Sequence, residues 1–145
     1  MNIRPIELRD VEGIQAIQSA SPELAQWSAA EYARIAQGEM AGWVAEDEAG
    51  VAGFLIARPV ATDFEILNFA VRPEARRHGI GAALLRQSLA WSKTFHAERA
   101  FLEVRVSNVT ALRFYEHHGF RVTGRRPRYY TAPPEDAFVL SITLE

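Results

Sequence analysis

The chain contains no cysteine among its 145 residues. That excludes disulfides, thiolate metal sites and any cysteine nucleophile. It also lacks a strong charge of either sign: 16 Lys and Arg against 18 Asp and Glu leave a formal net charge of −2. Nothing in that balance favours a nucleic-acid groove or an anionic membrane surface. No apolar run approaches membrane-spanning length, and the N-terminus, Met1-Asn-Ile-Arg-Pro-Ile-Glu-Leu-Arg-Asp10, is too polar for a signal peptide. Internal repeats, low-complexity tracts and linkers are missing as well. His78, His96, His117 and His118 show no ligand spacing with carboxylates, so no metal is expected. What remains is 48% hydrophobic and 23% charged. Such a chain suits one compact domain over residues 1–145, working in the cytoplasm.

Local signals set out the elements. Ile3 to Leu8 reads as a first strand, with Pro5 tolerable only near an edge. Asp10 is placed to cap a helix that carries Val11, Ile14 and Ile17 at helical spacing. Ser28-Ala-Ala-Glu31 is a capping box and Gly38 a C-cap, so a second helix is expected over about Ala29–Gln37. Trp43–Glu46 and Val51–Ile56, joined by Asp47-Glu-Ala-Gly50, read as a hairpin. A strand ending at Val71, a helix to about Phe95 and a strand over Ala100–Val106 follow. Ser107 or Asn108 caps a last helix that Gly119 ends, and strands near Phe120–Gly124 and Ala137–Leu144 close the chain. Trp27, Trp43 and Trp91 are expected in the core or at its margin. The order predicts an α/β fold: a mixed central sheet of about six to seven strands with helices on both faces.

The most informative stretch is Arg76-Arg77-His78-Gly79-Ile80-Gly81, between the strand-like run Glu65–Val71 and the helix-like run Ala82–Leu89. A helix N-terminus offers unpaired N–H groups and a positive dipole end, and glycine lets the backbone approach a diphosphate. A purely structural glycine turn is the alternative on these six residues. A second signal is Phe101-Leu-Glu-Val-Arg-Val106, where alternation puts Phe101, Glu103 and Arg105 on one face and Leu102, Val104 and Val106 on the other. A carboxylate in mid-sheet is partly buried, and such burial tunes it toward acid–base work. The alternative for Glu103 is an ion pair with Arg105 or another arginine.

With Arg76, Gly79 and Gly81 matching Gln/Arg-x-x-Gly-x-Gly/Ala in this element order, the chain resembles the GNAT superfamily of acetyl-CoA-dependent N-acyltransferases. Further residues resemble one branch, which acetylates the N-terminal alanine of a small-subunit ribosomal protein. They are Leu102-Glu-Val-Arg105, Ser107-Asn108, Ala111, Phe114-Tyr-Glu116, Gly119-Phe120, Arg126, Tyr129-Tyr130 and Glu135-Asp-Ala137. The likeness is dense from about Asn68 to Leu140 and thins upstream to Trp27-Ser28; residues 6–42, which form much of the acceptor wall in this fold, match least.

The resemblance implies acetyl-CoA as co-substrate and no metal. Phe69 and Val71 would contact the pantetheine arm along a strand, and Arg76, Arg77, His78, Gly79, Ile80, Gly81 and Ala82 would hold the diphosphate. Asn108, Ala111 and Tyr115 share a helix face at i, i+3 and i+7. Asn108 would hold pantetheine, and Tyr115 would protonate the departing thiolate; a phenol near pKa 10 suits that role. Glu103 would be the base. Arg126-Pro-Arg-Tyr-Tyr-Thr-Ala-Pro-Pro-Glu135 looks like a proline-stiffened loop, whose Tyr129 and Tyr130 would bind the acceptor; a plain hairpin with packed tyrosines is the alternative.

An α-amine of pKa about 8 is roughly 10% neutral at pH 7, whereas a lysine at about 10.4 is only about 0.04% neutral. One modest base therefore serves an N-terminus better than a lysine. The expected partner is a protein N-terminus, ribosomal in the leading reading, with neither nucleic acid nor membrane bound directly and a monomer or weak dimer as the assembly. A GNAT enzyme acting on a small-molecule amine or a lysine is the other reading.

Overall fold

The computed structural model describes residues 1–145. Seven strands form a mixed sheet: β1 (Asn2–Pro5), β2 (Ala41–Asp47), β3 (Gly50–Val60), β4 (Asp63–Val71), β5 (Arg99–Arg105), β6 (Arg121–Thr131) and β7 (Pro134–Thr143). Four helices accompany them: α1 (Val11–Ser19), α2 (Ala29–Ala36), α3 (Ile80–Lys93) and α4 (Val109–His117). The strand order is β1-β2-β3-β4-β5-β7-β6. The β4–β5 ladder is parallel, while β1–β2, β2–β3, β5–β7 and β6–β7 are antiparallel. The chain sorts into two compact units, Met1–Arg58 with Ile66–Ser92, and Pro59–Glu65 with Lys93–Glu145.

In the first unit, β1 ends at Pro5 rather than running to Leu8. Asp10 is the reason. Its carboxylate takes paired hydrogen bonds from Arg4 at 2.8 Å and one from the Glu7 N–H at 2.8 Å, curling the chain into a 3₁₀ turn over Leu8–Asp10. Asp10 therefore stands at the N-terminus of α1 without capping it. Burial alone would raise its pKa, but Arg4 and the Glu7 N–H outweigh that and hold it below the usual carboxylate range. The Ser28–Glu31 capping box does form at the start of α2.

Val44, Phe54 and Ile56 share one face of the β2–β3 hairpin and pack with Ile14, Ile17, Tyr32 and Ile35 of α1 and α2. On the opposite face Trp43 meets Trp91 of α3, ring centroids 5.3 Å apart, and Trp91 keeps 37% of its surface exposed. Gly53 lies on that same face. A Cβ there would sit 3.1 Å from the Ala70 carbonyl oxygen and from Leu84 Cδ1, and 3.2 Å from Ile80 Cγ2. Glycine thus lets the first turn of α3 close onto β3.

In the second unit, Ala100, Leu102 and Val104 are the buried side of β5, as alternation predicts. Tyr115 of α4 packs on Phe120, and β6–β7 forms a long hairpin. The segment Arg126–Glu135 is not a loop. It is strand on both sides of a turn at Ala132–Pro133, with Tyr130 opposite Glu135 and Thr131 opposite Pro134.

Candidate active site

In the first unit, β4 leads into the Arg76–Gly81 turn. Arg72 anchors its exit by an ion pair to Asp47 at 2.7 Å and a hydrogen bond to the Val51 carbonyl at 3.1 Å. Arg76 turns back: its Nε donates to the Val71 carbonyl at 3.1 Å and its Nη2 to Ser21 Oγ at 3.4 Å. Its guanidinium is a brace for the turn. Arg77 and Gly79 both take positive φ, +67° and +79°, conformations that fold the main chain inward before α3. The first intrahelical bond runs from the Ala83 N–H to the Gly79 carbonyl. The N–H groups of Gly79, Ile80, Gly81 and Ala82 precede it and have no carbonyl within the helix to bond. Four amides at a positive dipole end fit an anionic diphosphate.

A buried hydrogen-bond chain crosses this unit as well. The Tyr32 hydroxyl donates to Gln18 Oε1 and accepts from Asn68 Nδ2, which also donates to the Ala25 carbonyl. Gln18 binds both the N–H and the carbonyl of Trp27. Asn68 of β4 thereby holds the main chain between α1 and α2. A polar residue inside the apolar run Ile66–Val71 was the signal for it in the sequence.

The second unit holds the titratable cluster. Glu103 on β5 has a side chain only 9% exposed, and its Oε1 lies 3.2 Å from Arg126 Nε of β6, so the ion pair weighed from the sequence does form. Asn108 caps α4, its Oδ1 accepting from the Ala111 N–H at 3.2 Å. Tyr115 is buried between Phe114 and Phe120. Burial keeps its phenol well above the ordinary range, with Tyr130 adding to the effect. Burial also pushes Tyr130 up to about 12, reinforced by Tyr129 and Glu103. Tyr130 is therefore within electrostatic reach of both Tyr115 and Glu103. Tyr129 stands 48% exposed beside it, the two rings 5.0 Å apart and edge to face. Around Glu103 stand two phenols, Tyr115 and Tyr130, that keep their protons at neutral pH.

Sequence reasoning missed the company kept by Arg105. It pairs with Glu135 at 3.1 Å and lies over the Tyr130 ring, 4.2 Å from its centroid. Glu135 Oε2 in turn accepts from the Ser107 N–H at 2.8 Å, and the Ser107 side chain first, then this N–H and Arg105, hold the carboxyl below its usual range against the opposing effect of burial. Some thirty residues separate the partners, and no local spacing announces such a pair.

The model of the acetyltransferase (GNAT) family matches residues 8–120, most of the chain. The chain belongs to the GNAT acetyltransferase family. It is 31% identical over 143 residues to a Bacillus subtilis protein named as a candidate ribosomal protein bS18-alanine N-acetyltransferase, covering 98% of this chain and 95% of that one. It is 32% identical over 155 aligned positions to an N-alpha-acetyltransferase of Sulfurisphaera tokodaii, covering 98% and 92%. The crystal structure of the ribosomal-protein-S18-alanine N-acetyltransferase from Escherichia coli superposes with a TM-score of 0.86 at 27% identity, over 99% of this chain and 94% of that one. This GNAT chain is thus an acetyl-CoA-dependent N-acetyltransferase with the family's seven-stranded fold. No group of three or more His, Asp or Glu side chains is placed to hold a metal ion, and no helix is long and apolar enough to cross a membrane.

Proposed function

We propose that this GNAT enzyme acetylates the N-terminal α-amine of a protein, the leading acceptor being an alanine N-terminus on a small-subunit ribosomal protein. The observation that carries the reading is the cluster on β5, α4 and β6: a nearly buried carboxylate, Glu103, and two protonated phenols, Tyr115 and Tyr130, electrostatically linked within one unit. The names borne by the Bacillus and Sulfurisphaera relatives support it.

In this reading the diphosphate of acetyl-CoA rests on the main chain from Arg77 to Ala82, with His78 and Ile80 contributing through backbone and Arg76 bracing the turn. The β4–β5 ladder spans only Asp63–Glu65, and beyond it the pantetheine arm would run along the main chain at Phe69 and Val71, with the Val71 carbonyl already taken by Arg76. Asn108 keeps its amide Nδ2 for the same arm. Tyr129 and Tyr130 flank the acceptor.

Glu103 takes the proton, directly or through water, as the amine nitrogen bonds to the thioester carbonyl carbon. The C–S bond breaks, and Tyr115 donates its phenolic proton to the leaving thiolate. In the unliganded protein that phenol is a weaker acid than a free one, so it stays protonated until thiolate charge develops beside it. The reaction runs in the cytoplasm, on a monomer or weak dimer, with a protein N-terminus as acceptor and no direct binding of nucleic acid or membrane.

The test is mass-spectrometric readout of acetyl transfer to a peptide panel. Alanine-first peptides with a free N-terminus should be acetylated faster than the same peptides with a blocked N-terminus and an internal lysine, and faster than polyamines. Preference for the blocked, lysine-bearing peptides or the polyamines would overturn the assignment and favour a small-amine or lysine acceptor.

A further inference from the structure

One guanidinium closes the β6–β7 turn. Arg105 follows Glu103 by two residues on β5 and so shares its face. Its Nη1 donates to the Pro133 carbonyl at 3.0 Å and to Glu135 Oε1 at 3.1 Å, and its Nη2 donates to the Ala132 carbonyl at 3.2 Å. Its Cζ lies over the Tyr130 ring, 4.2 Å from the centroid. Only 13% of the side chain is exposed.

A salt bridge that merely joined β5 to β7 would need Glu135 alone. Arg105 additionally takes the two carbonyls at the tip of the hairpin, which have no ladder partner because pairing ends at Thr131–Pro134. It also supports the ring of Tyr130, which lies within electrostatic reach of both Glu103 and Tyr115. The register supports this as an anchor: β5 pairs with β7 as far as Arg105–Ala137, so the turn extends past the end of that ladder. Beyond that point the Arg105 side chain holds the turn to β5. Arginine is the residue that can do this, because a planar fork gives several fixed donors while leaving its face for an aromatic ring.

We propose that Arg105 is a positioning residue of the acceptor site, clamping the Ala132–Pro133 turn and fixing the Tyr130 hydroxyl relative to Glu103. The proposal rests on the acceptor role given to Tyr130 above. It assigns acceptor selectivity in part to a side chain that touches no acceptor. Glu135 is the second jaw: its other oxygen is held by the Ser107 N–H, which keeps the carboxylate aimed at Arg105.

The test uses Arg105→Lys, which keeps the charge but loses the fork and the stacking face, together with Glu135→Gln, which loosens the clamp from the other side. Arg105→Lys should raise the acceptor-peptide KM about tenfold while kcat falls much less, because a displaced positioning group mainly disturbs how the acceptor is held. Acetyl-CoA affinity by calorimetry should stay within about twofold of wild type, since an anchor at the hairpin does not touch the diphosphate cradle. Glu135→Gln should move the same KM in the same direction by less. Amide exchange at 131–135 should accelerate in both variants, read by mass spectrometry with no acceptor present. Unchanged KM and unchanged exchange would overturn the clamp. So would a loss shared equally by acceptor KM and acetyl-CoA affinity, which marks a general scaffold role. The exchange measurement stands whatever the acceptor proves to be, so failure of the N-terminal assignment and failure of the clamp remain separate results.

Discussion

The two groups assigned to proton transfer should fail in different ways. Glu103→Gln removes the proton acceptor at constant size, so kcat/KM should fall about 10²-fold or more at neutral pH. That defect should shrink as pH rises and the α-amine deprotonates unaided. Tyr115→Phe removes the donor, and raising pH over the same range should not relieve it. A pH–rate profile of wild type and both variants checks this; near-wild-type profiles for both would retire the mechanism. A second pH effect belongs to stability. In an unfolded chain a tyrosine titrates near 10, whereas burial pushes Tyr32 and Tyr130 up to about 12 in the folded protein. Between those values the folded state keeps protons that the unfolded state has lost. The stabilisation is complete below about pH 10 and disappears as pH rises toward 12. Urea midpoints should therefore fall steeply across that window, and less steeply in Tyr32→Phe.

Among the elements, the approach of α3 to β3 matters most for the proposed diphosphate cradle. The cradle amides belong to the first turn of α3, and that turn is seated through Ile80 and Leu84 against Gly53. Gly53→Val would drive methyl groups into the Ala70 carbonyl and both side chains, costing about 1–3 kcal/mol by overpacking. It should weaken acetyl-CoA binding several-fold although no atom of residue 53 reaches the ligand. Gly124→Ala is the control, since a Cβ there meets only Val139 at 3.7 Å. Calorimetry with thermal melts on both variants decides the matter: equal acetyl-CoA affinity in the two would show that the seating of α3 is irrelevant to the cradle. Gly53 was hidden in the sequence because a strand glycine has no local reason; its reason is a helix that starts at Ile80. The β6–β7 hairpin was hidden for a related cause. Pro127, Pro133 and Pro134 read as loop punctuation, yet Pro127 sits in β6, an edge strand with register breaks, Pro133 in the turn and Pro134 at the first residue of β7, all places where proline is tolerated.

Across the whole molecule, the order of strands and helices was legible because each element carries its own period or cap: the Ser28–Glu31 box, the alternation of β5, the glycines before α3 and after α4. The faces of Glu103 and Tyr115 were legible through periodicity, and the roles proposed for them come from the family resemblance. Pairing at a distance was not. Arg126 on Glu103, Arg105 on the turn and Asn68 on Tyr32 join residues 23 to 36 positions apart, and a sequence without its fold has no measure of such distances. The Arg76–Gly81 turn belongs to one unit, and Glu103, Tyr115 and Tyr130 belong to the other.

The division of β4 between those units has a consequence for how the protein is made. A ribosome delivers the chain from its N-terminal side, yet residues 59–65 belong with partners that are translated only later, Asp63–Glu65 pairing with Arg99–Phe101. The nascent chain completes the set of residues for its first unit at Ser92 while holding a short stretch in reserve, stitched between Arg58 and Ile66, for strands not yet synthesised. Neither unit is a contiguous piece of the gene. Cutting the reading frame at any single codon cannot leave both units whole, so the Arg76–Gly81 turn and the Glu103 cluster are inherited together.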